Sequence, residues 1–200
     1  MAAGLRLRPA TEGDAAAIAA IYAPYVRGTA ISFETEAPSA DEIAARIAKA
    51  QSRWAWLVRE DARGELLAYA YAGAFAERAS YRWSVTVSAY ARQGQHRQGH
   101  GRVLYTALLG LLTQQGFHSA FAGITQPNAA SVGLHEALGF VRVGSYEDAG
   151  HKLGAWHDVA WFRRPLAPRG PDRQGPAPAE TRTLAEVLAT PAGQAWLKPD

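Results

Sequence analysis

The stretch ARQGQHRQGHGRVLYTALLGLL, residues 91–112, joins a basic, glycine-containing turn to an apolar helix. Gly99 and Gly101 lie at the junction, and Arg97 and Arg102 add cationic side chains beside them. Glycine lets backbone N–H groups approach an anion closely, and a helix N-terminus adds partial positive charge. The stretch therefore predicts either a phosphate-binding turn or a glycine-rich turn that only begins a helix.

The spacing of these glycines separates the turn from two familiar phosphate-binding motifs. The dinucleotide fingerprint would need a third glycine where Leu104 stands, and no Gly-Lys-Ser/Thr follows, as a nucleoside-triphosphate loop requires. A phosphate bound here would therefore belong to another kind of ligand.

The composition excludes several classes of function. The 200 residues are 48% hydrophobic with a net charge of +3, and they contain no long cationic run interleaved with aromatic residues. This pattern argues against nucleic-acid binding. No signal peptide or apolar run long enough for a membrane span is present, so we expect no membrane partner.

Cysteine is absent, which excludes disulfides, thiol catalysis and cysteine metal sites and fits a reducing compartment. His96 and His100 are four residues apart but have no evident third ligand, so we predict no metal site. These observations together predict a cytoplasmic protein.

The hydrophobic periodicities predict the element order β-α-α-β-β-β-α-β-α-β-β, a mixed α/β layout. The segment TAISFETE is predicted as a short strand or an extended loop, and Ser39 with Glu42 predicts a capping box. We assign residues 1–165 to one domain and the Pro/Gly/Arg-rich residues 166–180 to a linker. Residues 181–200 form a C-terminal extension that either docks as a short helix or is a disordered tail; the spacing of its apolar residues favours docking.

The turn and a second motif, NAASVGLHEALGF, together resemble the GNAT N-acetyltransferase superfamily. The segment His96–Gly101 matches its Gln/Arg-x-x-Gly-x-Gly/Ala signature, with a His in the first position. From about Leu5 to Pro165 the chain is similar to the phosphinothricin acetyltransferase branch, through AGITQPNAASVGLHEALGF and KLGAWHDV. The resemblance implies a GNAT fold, a mixed and mostly antiparallel sheet of about seven strands with helices on both faces, and it implies a homodimer.

The same resemblance implies acetyl-CoA as co-substrate, with its pyrophosphate on the glycine turn and its pantetheine arm on the central strand. Asn128, Ser131 and His135 are spaced i, i+3, i+7 and share one helix face, which the pattern alone leaves open as a solvated face. The branch carries His at position 135, which we assign to acid/base chemistry. The implied acetyl-CoA contacts are Ala89, Tyr90, Ala91, Arg97, Gln98, Gly99, His100, Gly101, Arg102, Asn128 and Ser131.

Two positions depart from the branch on the side of the acceptor. An expected Arg-x-Arg pair is reduced to Arg78, because Ala76 stands in the first position, and Thr86 replaces a glutamate expected on the central strand. A Thr hydroxyl cannot accept a proton near neutral pH as a carboxylate can. Glu34 is the substitute base that we predict, with a solvated acidic loop as the alternative. The predicted acceptor contacts are Phe33, Arg78, Tyr81 and Thr86.

These features predict an acetyl-CoA-dependent N-acetyltransferase. It would act on the amino group of a small amino-acid-like acceptor, of the phosphinothricin or methionine sulfoximine type, by direct transfer in a ternary complex. Two alternatives remain open: a CoA-binding protein with weakened catalysis, and an acetyltransferase for another amine, in a protein or an aminoglycoside.

Overall fold

A seven-stranded mixed sheet with helices on both faces forms the framework in a computed structural model, which describes residues 4–168 and 178–198. Its strands are β1 (Arg6–Pro9), β2 (Trp56–Glu60), β3 (Leu66–Ala74), β4 (Ser84–Ala91), β5 (Ser119–Thr125), β6 (Val141–Lys152) and β7 (Ala155–Pro165). The helices are α1 (Ala15–Gly28), α2 (Ala40–Gln51), α3 (His100–Gln115), α4 (Ala129–Ala137), α5 (Leu184–Leu188) and α6 (Pro191–Ala195). The strand order is β1-β2-β3-β4-β5-β7-β6. The predicted α/β fold class is confirmed.

Local signals in the sequence place the ends of several helices. The Ser39 side chain accepts from the Glu42 N–H, and the Glu42 carboxylate accepts from Ser39, so the predicted capping box begins α2. Gly116 ends α3 with φ of 95°. The segment TAISFETE is an irregular loop between α1 and α2 and contains no strand.

The two faces of the sheet bury separate apolar clusters. One face packs on α3, whose Leu104, Leu108, Leu111 and Leu112 are fully buried. The other face packs on α1 and α2 over a cluster rich in aromatic side chains. Alternate residues of β4 serve the two faces: Val85 and Val87 belong to the α3 side, while Tyr90 contacts the α1–α2 cluster.

β4 and β5 are the one parallel pair among the described strands, and they soon part. Their pairing covers Ser84 to Thr86 of β4, opposite Ser119 to Phe121 of β5. Beyond that point β4 remains paired with β3, and β5 remains paired with β7. The middle of the sheet therefore opens between the last five residues of β4 and the second half of β5.

The C-terminal extension packs against α3. Leu184 and Val187 of α5 are buried in the cluster on the α3 side. The Trp196 ring covers Gly110, where any side chain would collide with the indole. The Gln115 amide donates to the Arg182 carbonyl at 2.9 Å, which ties the end of α3 to the start of the extension. Most of the predicted linker lies outside the described residues.

Within residues 4–168 and 178–198, no helix has both the length and the apolar character that crossing a bilayer demands.

The packing of the extension predicts that Val187→Asp destabilises the whole domain. The substitution would bury an unpaired carboxylate at a fully buried position, which typically costs a few kcal/mol. We expect a clear fall in melting temperature and faster cleavage of the extension by a protease. Ala185→Asp places the same charge on the exposed side of α5 and should change neither; equal effects of the two variants would contradict the packing.

Candidate functional site at the opening of the sheet

The opening between β4 and β5 contains a narrow cavity of about 50 Å³. Its walls come from the separated halves of the two strands, from α4 and from Tyr105 of α3. Because neither strand has a sheet partner on this side, backbone groups at the opening are available to a ligand. The predicted cofactor contacts Ala89, Tyr90, Asn128 and Ser131 line the cavity, as does His135, which was predicted to be catalytic.

The glycine turn lies between the end of β4 and the beginning of α3. Three residues of the turn, Gly94, Arg97 and Gly99, have left-handed φ values of 81°, 61° and 80°. Gly99 is the N-cap of α3 and provides no side-chain cap. The first N–H groups of α3 therefore lack a partner within the helix and form an anion site with its dipole. Arg97, Gln98 and Arg102 are exposed around it.

Gly101 lies close to α4. A Cβ at this position would lie 3.1 Å from Cδ2 of Leu134, which is tighter than ordinary van der Waals contact. The glycine therefore allows the first turn of α3 to pack closely against the middle of α4.

His96 fixes the turn to α1. The Tyr25 hydroxyl donates to the Ala91 carbonyl at 2.5 Å. Because its one proton is used there, the Tyr25 hydroxyl oxygen accepts from His96 Nε2, at 2.7 Å. The departure from the expected Gln/Arg thus supplies a donor that holds the turn in place. Because the Ala91 carbonyl accepts from Tyr25, the Ala91 N–H is the backbone group of this residue that remains for a ligand.

His100 faces the interior. Its side chain is buried, its Nε2 lies 3.4 Å from Oε1 of Gln95, and its Nδ1 has no hydrogen-bond partner among the described residues. Burial lowers the pKa of His100. The residue would therefore contact a ligand at this turn through its backbone N–H.

The polar face of α4 points into the opening. The Asn128 side chain accepts from the Ser131 N–H at 3.1 Å and caps the helix. His135 Nδ1 lies 2.8 Å from the Ser131 carbonyl, so Nδ1 carries the proton and Nε2 carries the lone pair. Nε2 is buried and has no partner among the described residues. The ring is held edge-on between Tyr105 and Phe140.

Burial lowers the pKa of His135, although the hydrogen bond to Ser131 opposes the shift. At neutral pH the side chain is therefore the neutral imidazole, with a fixed tautomer and a free lone pair directed away from Ser131. In this state Nε2 can accept a proton, although burial makes the imidazole a weaker base, and it can donate only a proton that it has first gained.

Glu34 lies in the α1–α2 loop as part of an ion pair. The Arg46 guanidinium donates to both carboxylate oxygens, at 2.7 and 3.0 Å, and the Tyr22 hydroxyl donates at 3.0 Å. The Arg46 hydrogen bonds lower the pKa of Glu34. A carboxylate stabilised in this way is a weak base, which counts against the predicted catalytic role of Glu34.

Lys152 at the end of β6 holds the α1–α2 loop in place. Its buried ammonium donates to the carbonyls of Val26, Ser32 and Glu34 at 2.6 to 2.7 Å. Burial lowers the pKa of Lys152, while the Glu34 charge opposes the shift. The end of β6 is thereby joined to the end of α1 and to the loop that follows it.

The predicted acceptor contacts are spread around this loop and the β3–β4 connection. Phe33 is partly exposed and packs on Gly150 of β6, where a side chain would collide with its ring. Arg78 and Tyr81 are exposed in the β3–β4 connection, and Tyr81 meets the edge of Phe75. Thr86 lies opposite Gly73 at the last paired position before the opening.

Sequence reasoning missed three residues that order this site: Tyr25, Arg46 and Lys152. Lys152 belongs to the quoted motif KLGAWHDV, which was the one local signal, although its partners lie 118 to 126 positions away. Tyr25 meets His96 71 positions away and Arg46 meets Glu34 12 positions away, so no short spacing indicates either contact. Among the described residues, no group of three or more His, Asp or Glu side chains is arranged to hold a metal ion.

The depressed pKa of His135 predicts a pH-dependent stability. The unfolded chain binds a proton near the ordinary pKa of about 6.5, whereas the folded chain binds it only at lower pH. The unfolding free energy should therefore fall as pH drops below about 6.5. Urea titrations at pH 7.5 and at pH 5.5 measure this difference, and the value at pH 5.5 should be the smaller. His135→Asn keeps a donor for the Ser131 carbonyl and should reduce that pH dependence. His100, whose pKa is also lowered, contributes in the same direction; an unchanged slope in the Asn variant would contradict the assignment.

Comparisons with known proteins agree with this geometry. The family model described as an acetyltransferase (GNAT) domain matches residues 7–161. The chain is 38% identical to phosphinothricin N-acetyltransferase of Streptomyces viridochromogenes, over 84% of this chain and 92% of that protein. It is 37% identical to L-methionine sulfoximine/L-methionine sulfone acetyltransferase of Pseudomonas paraeruginosa, over 81% and 95%.

A crystal structure of a GNAT superfamily phosphinothricin acetyltransferase from Sinorhizobium meliloti, in complex with AcCoA, superposes with a TM-score of 0.81. The two sequences are 34% identical, and the superposition covers 88% of this chain and 94% of the Sinorhizobium meliloti chain. Family match, sequence identity and fold agree over the same domain, and the chain therefore belongs to the GNAT acetyltransferase family.

Proposed function

We propose that this protein transfers the acetyl group of acetyl-CoA to the amino group of a small amino-acid-like acceptor. The observation that carries the proposal is the opening between β4 and β5, with the uncapped N-terminus of α3 at one end and the free Nε2 of His135 beside it. The names of the relatives, which include a phosphinothricin and a methionine sulfoximine/sulfone acetyltransferase, support this acceptor class.

The residues at the opening fit each part of acetyl-CoA. The N–H groups at the start of α3, with Arg97 and Arg102 nearby, suit the pyrophosphate. The backbone groups of Ala89 and the N–H of Ala91 lie on the side of β4 that faces the opening and suit the amides of the pantetheine arm, whereas the backbone groups of Tyr90 face β3. Asn128 and Ser131 complete the wall on the α4 side.

Proton transfer is assigned to His135. Direct attack of a neutral amine on the thioester releases one proton from nitrogen, and the departing thiolate requires one proton. Neutral His135 accepts that proton at Nε2 and returns it to the CoA sulfur, so the side chain is neutral again after each turnover. No acyl-enzyme is needed, because the amine attacks the thioester itself. Glu34 is then left to hold the acceptor-side loop through Arg46 and Tyr22.

An acceptor screen tests this function directly. Purified protein, acetyl-CoA and a thiol-reactive chromophore are combined with phosphinothricin, methionine sulfoximine, methionine sulfone, proteinogenic amino acids, an aminoglycoside and a lysine peptide. We expect release of free CoA with amino-acid-like acceptors. If acetyl-CoA raises the melting temperature but no acceptor is turned over, the protein is a CoA-binding relative with lost catalysis. Turnover confined to the peptide or the aminoglycoside would refute the acceptor class.

Gly101→Val should weaken CoA binding about tenfold or more in isothermal titration calorimetry. The added side chain presses on Leu134 beside the turn, which should displace the N–H groups at the start of α3 from a bound phosphate. Gly133→Val is the matched control, because a Cβ at Gly133 meets nothing within 4 Å. Equal affinity in both variants would remove the turn from the CoA site.

We also propose a cytoplasmic homodimer that associates through the β6–β7 hairpin. β6 is an edge strand, and long exposed edges of this kind favour pairing with another chain. The hairpin carries large apolar side chains that are more than half exposed in the single chain, a pattern typical of interfaces. These side chains are Val141, Val143, Tyr146, Leu153 and Trp156.

Val143→Lys should shift the protein from dimer to monomer in sedimentation velocity, because it places a charge in the proposed interface. Ala45→Lys, on the exposed side of α2, should leave the sedimentation coefficient unchanged. A monomeric wild-type protein at micromolar concentration would overturn this interface.

A further inference from the structure

The opening between β4 and β5 has two sides that differ in what lines them. Val87, Ala122 and Tyr105 belong to the apolar cluster on the α3 side, and the His135 ring contacts Tyr105 there. The glycine turn leads into α3, so the proposed cofactor occupies this side of the sheet. The acceptor amine must then reach the thioester from the α1–α2 side.

Ile31 borders the opening on that acceptor side. Among the described residues that line the opening, Ile31 alone comes from the α1–α2 loop. Its side chain is 43% exposed, so it is free to contact a bound molecule. From β5 the opening is lined by Gly123, which has no side chain. The loop, rather than this part of β5, therefore narrows the entrance for an acceptor.

The loop around Ile31 is fixed by its own hydrogen bonds. The Ile31 N–H donates to the Thr29 hydroxyl at 3.1 Å, and that hydroxyl donates to the Tyr25 carbonyl of α1 at 2.7 Å. The Ser32 hydroxyl lies 2.6 Å from the Tyr22 hydroxyl, which is also on α1. Isoleucine is branched at Cβ and therefore has few side-chain rotamers. A fixed backbone and a stiff side chain together make a firm wall.

Two residues at the end of β6 hold the same loop from another element. The buried Lys152 ammonium donates at 2.6 Å to the carbonyl of Ser32, which directly follows Ile31, and to two further carbonyls of α1 and the loop. The Phe33 ring covers Gly150, where a Cβ would collide with it. Buried hydrogen bonds of this kind are costly to lose. The position of Ile31 therefore depends on β6.

The size of the opening limits what can lie next to the acceptor amine. The cavity measures about 50 Å³, so the amine nitrogen enters it while the carbon atoms that follow remain at its mouth, beside Ile31. An unbranched CH₂ group at Cβ of an amino acid can pass the Ile31 side chain, whereas a second carbon on that Cβ meets it. A single carbon in a closely packed site typically changes discrimination by about tenfold or more.

We propose that Ile31 is a specificity-determining residue of the acceptor site, which rejects amino acids that are branched at Cβ. Lys152 is the positioning residue that holds Ile31 over the opening. The inference rests on the proposed acetyltransferase function and narrows its acceptor class to α-amino acids with an unbranched Cβ, such as methionine sulfone.

The experiment compares kcat/KM for L-norleucine and L-isoleucine, two isomers that differ in branching, with the full-length protein, acetyl-CoA and thiol detection. The wild-type protein should prefer norleucine by about tenfold or more. Ile31→Ala removes the branched wall and should reduce the preference to about twofold or less, while methionine sulfone gains nothing. Ile31→Val keeps the branch at Cβ and should retain most of the preference.

Two variants at the end of β6 test the positioning role. Lys152→Met removes the ammonium, and Gly150→Ala keeps it but pushes the Phe33 ring, and with it the loop, away from β6. Both should reduce the preference for norleucine over isoleucine. Gly144→Ala is the matched control on the same strand, because a Cβ there meets nothing within 4 Å, and it should retain the wild-type preference. A purely structural role would lower kcat/KM for both isomers alike.

The outcomes separate this inference from the function on which it rests. A wild-type protein that turns over isoleucine as well as norleucine overturns the inference and leaves the acetyltransferase intact. The same holds if Ile31→Ala turns over methionine sulfone but gains no activity with isoleucine. An unchanged preference in Gly150→Ala, or in folded Lys152→Met, overturns the positioning role. Release of no thiol with any acceptor refutes the proposed function itself.

Discussion

The parting of β4 from β5 is the constraint on which the rest of the site depends. Three residue pairs hold these parallel strands together, and each strand then follows its other neighbour, β3 or β7. Backbone groups that would normally pair across a sheet are left facing a gap, where an amide-bearing ligand can satisfy them. The helices that follow these strands, α3 and α4, both begin beside the gap. The N–H groups at the start of α3 and the polar side chains of α4 therefore lie around it.

The two helix N-termini at the gap are not equivalent. Asn128 caps α4 with its own side chain, which uses the Ser131 N–H. α3 begins at Gly99, which has no side chain and leaves the corresponding N–H groups open. One helix therefore offers an anion site, while the other offers a wall of side chains that ends at His135. This difference supports the proposal that phosphate binds at the start of α3 and that α4 supplies the proton-transfer group.

Local sequence patterns predicted the elements, and long-range contacts decided how the site is held. The Ser39–Glu42 capping box, the glycine turn and the face shared by Asn128, Ser131 and His135 all follow from spacing within a few residues. Tyr25 and His96 are 71 positions apart, and Lys152 is 120 positions from Ser32, so no local pattern connects them.

The missing glutamate at position 86 bears on how the acceptor amine loses its proton. A carboxylate beside the acceptor amine would stabilise the ammonium form and raise the pKa of the amine, so that a base would be needed to deprotonate it. Thr86 carries no charge, and an amine that enters the narrow opening of the sheet loses hydration, which lowers its pKa. Burial of the acceptor thus increases the fraction of free amine directly. The neutral state of His135 then suffices, because it must only receive the proton released during attack and pass it to the thiolate.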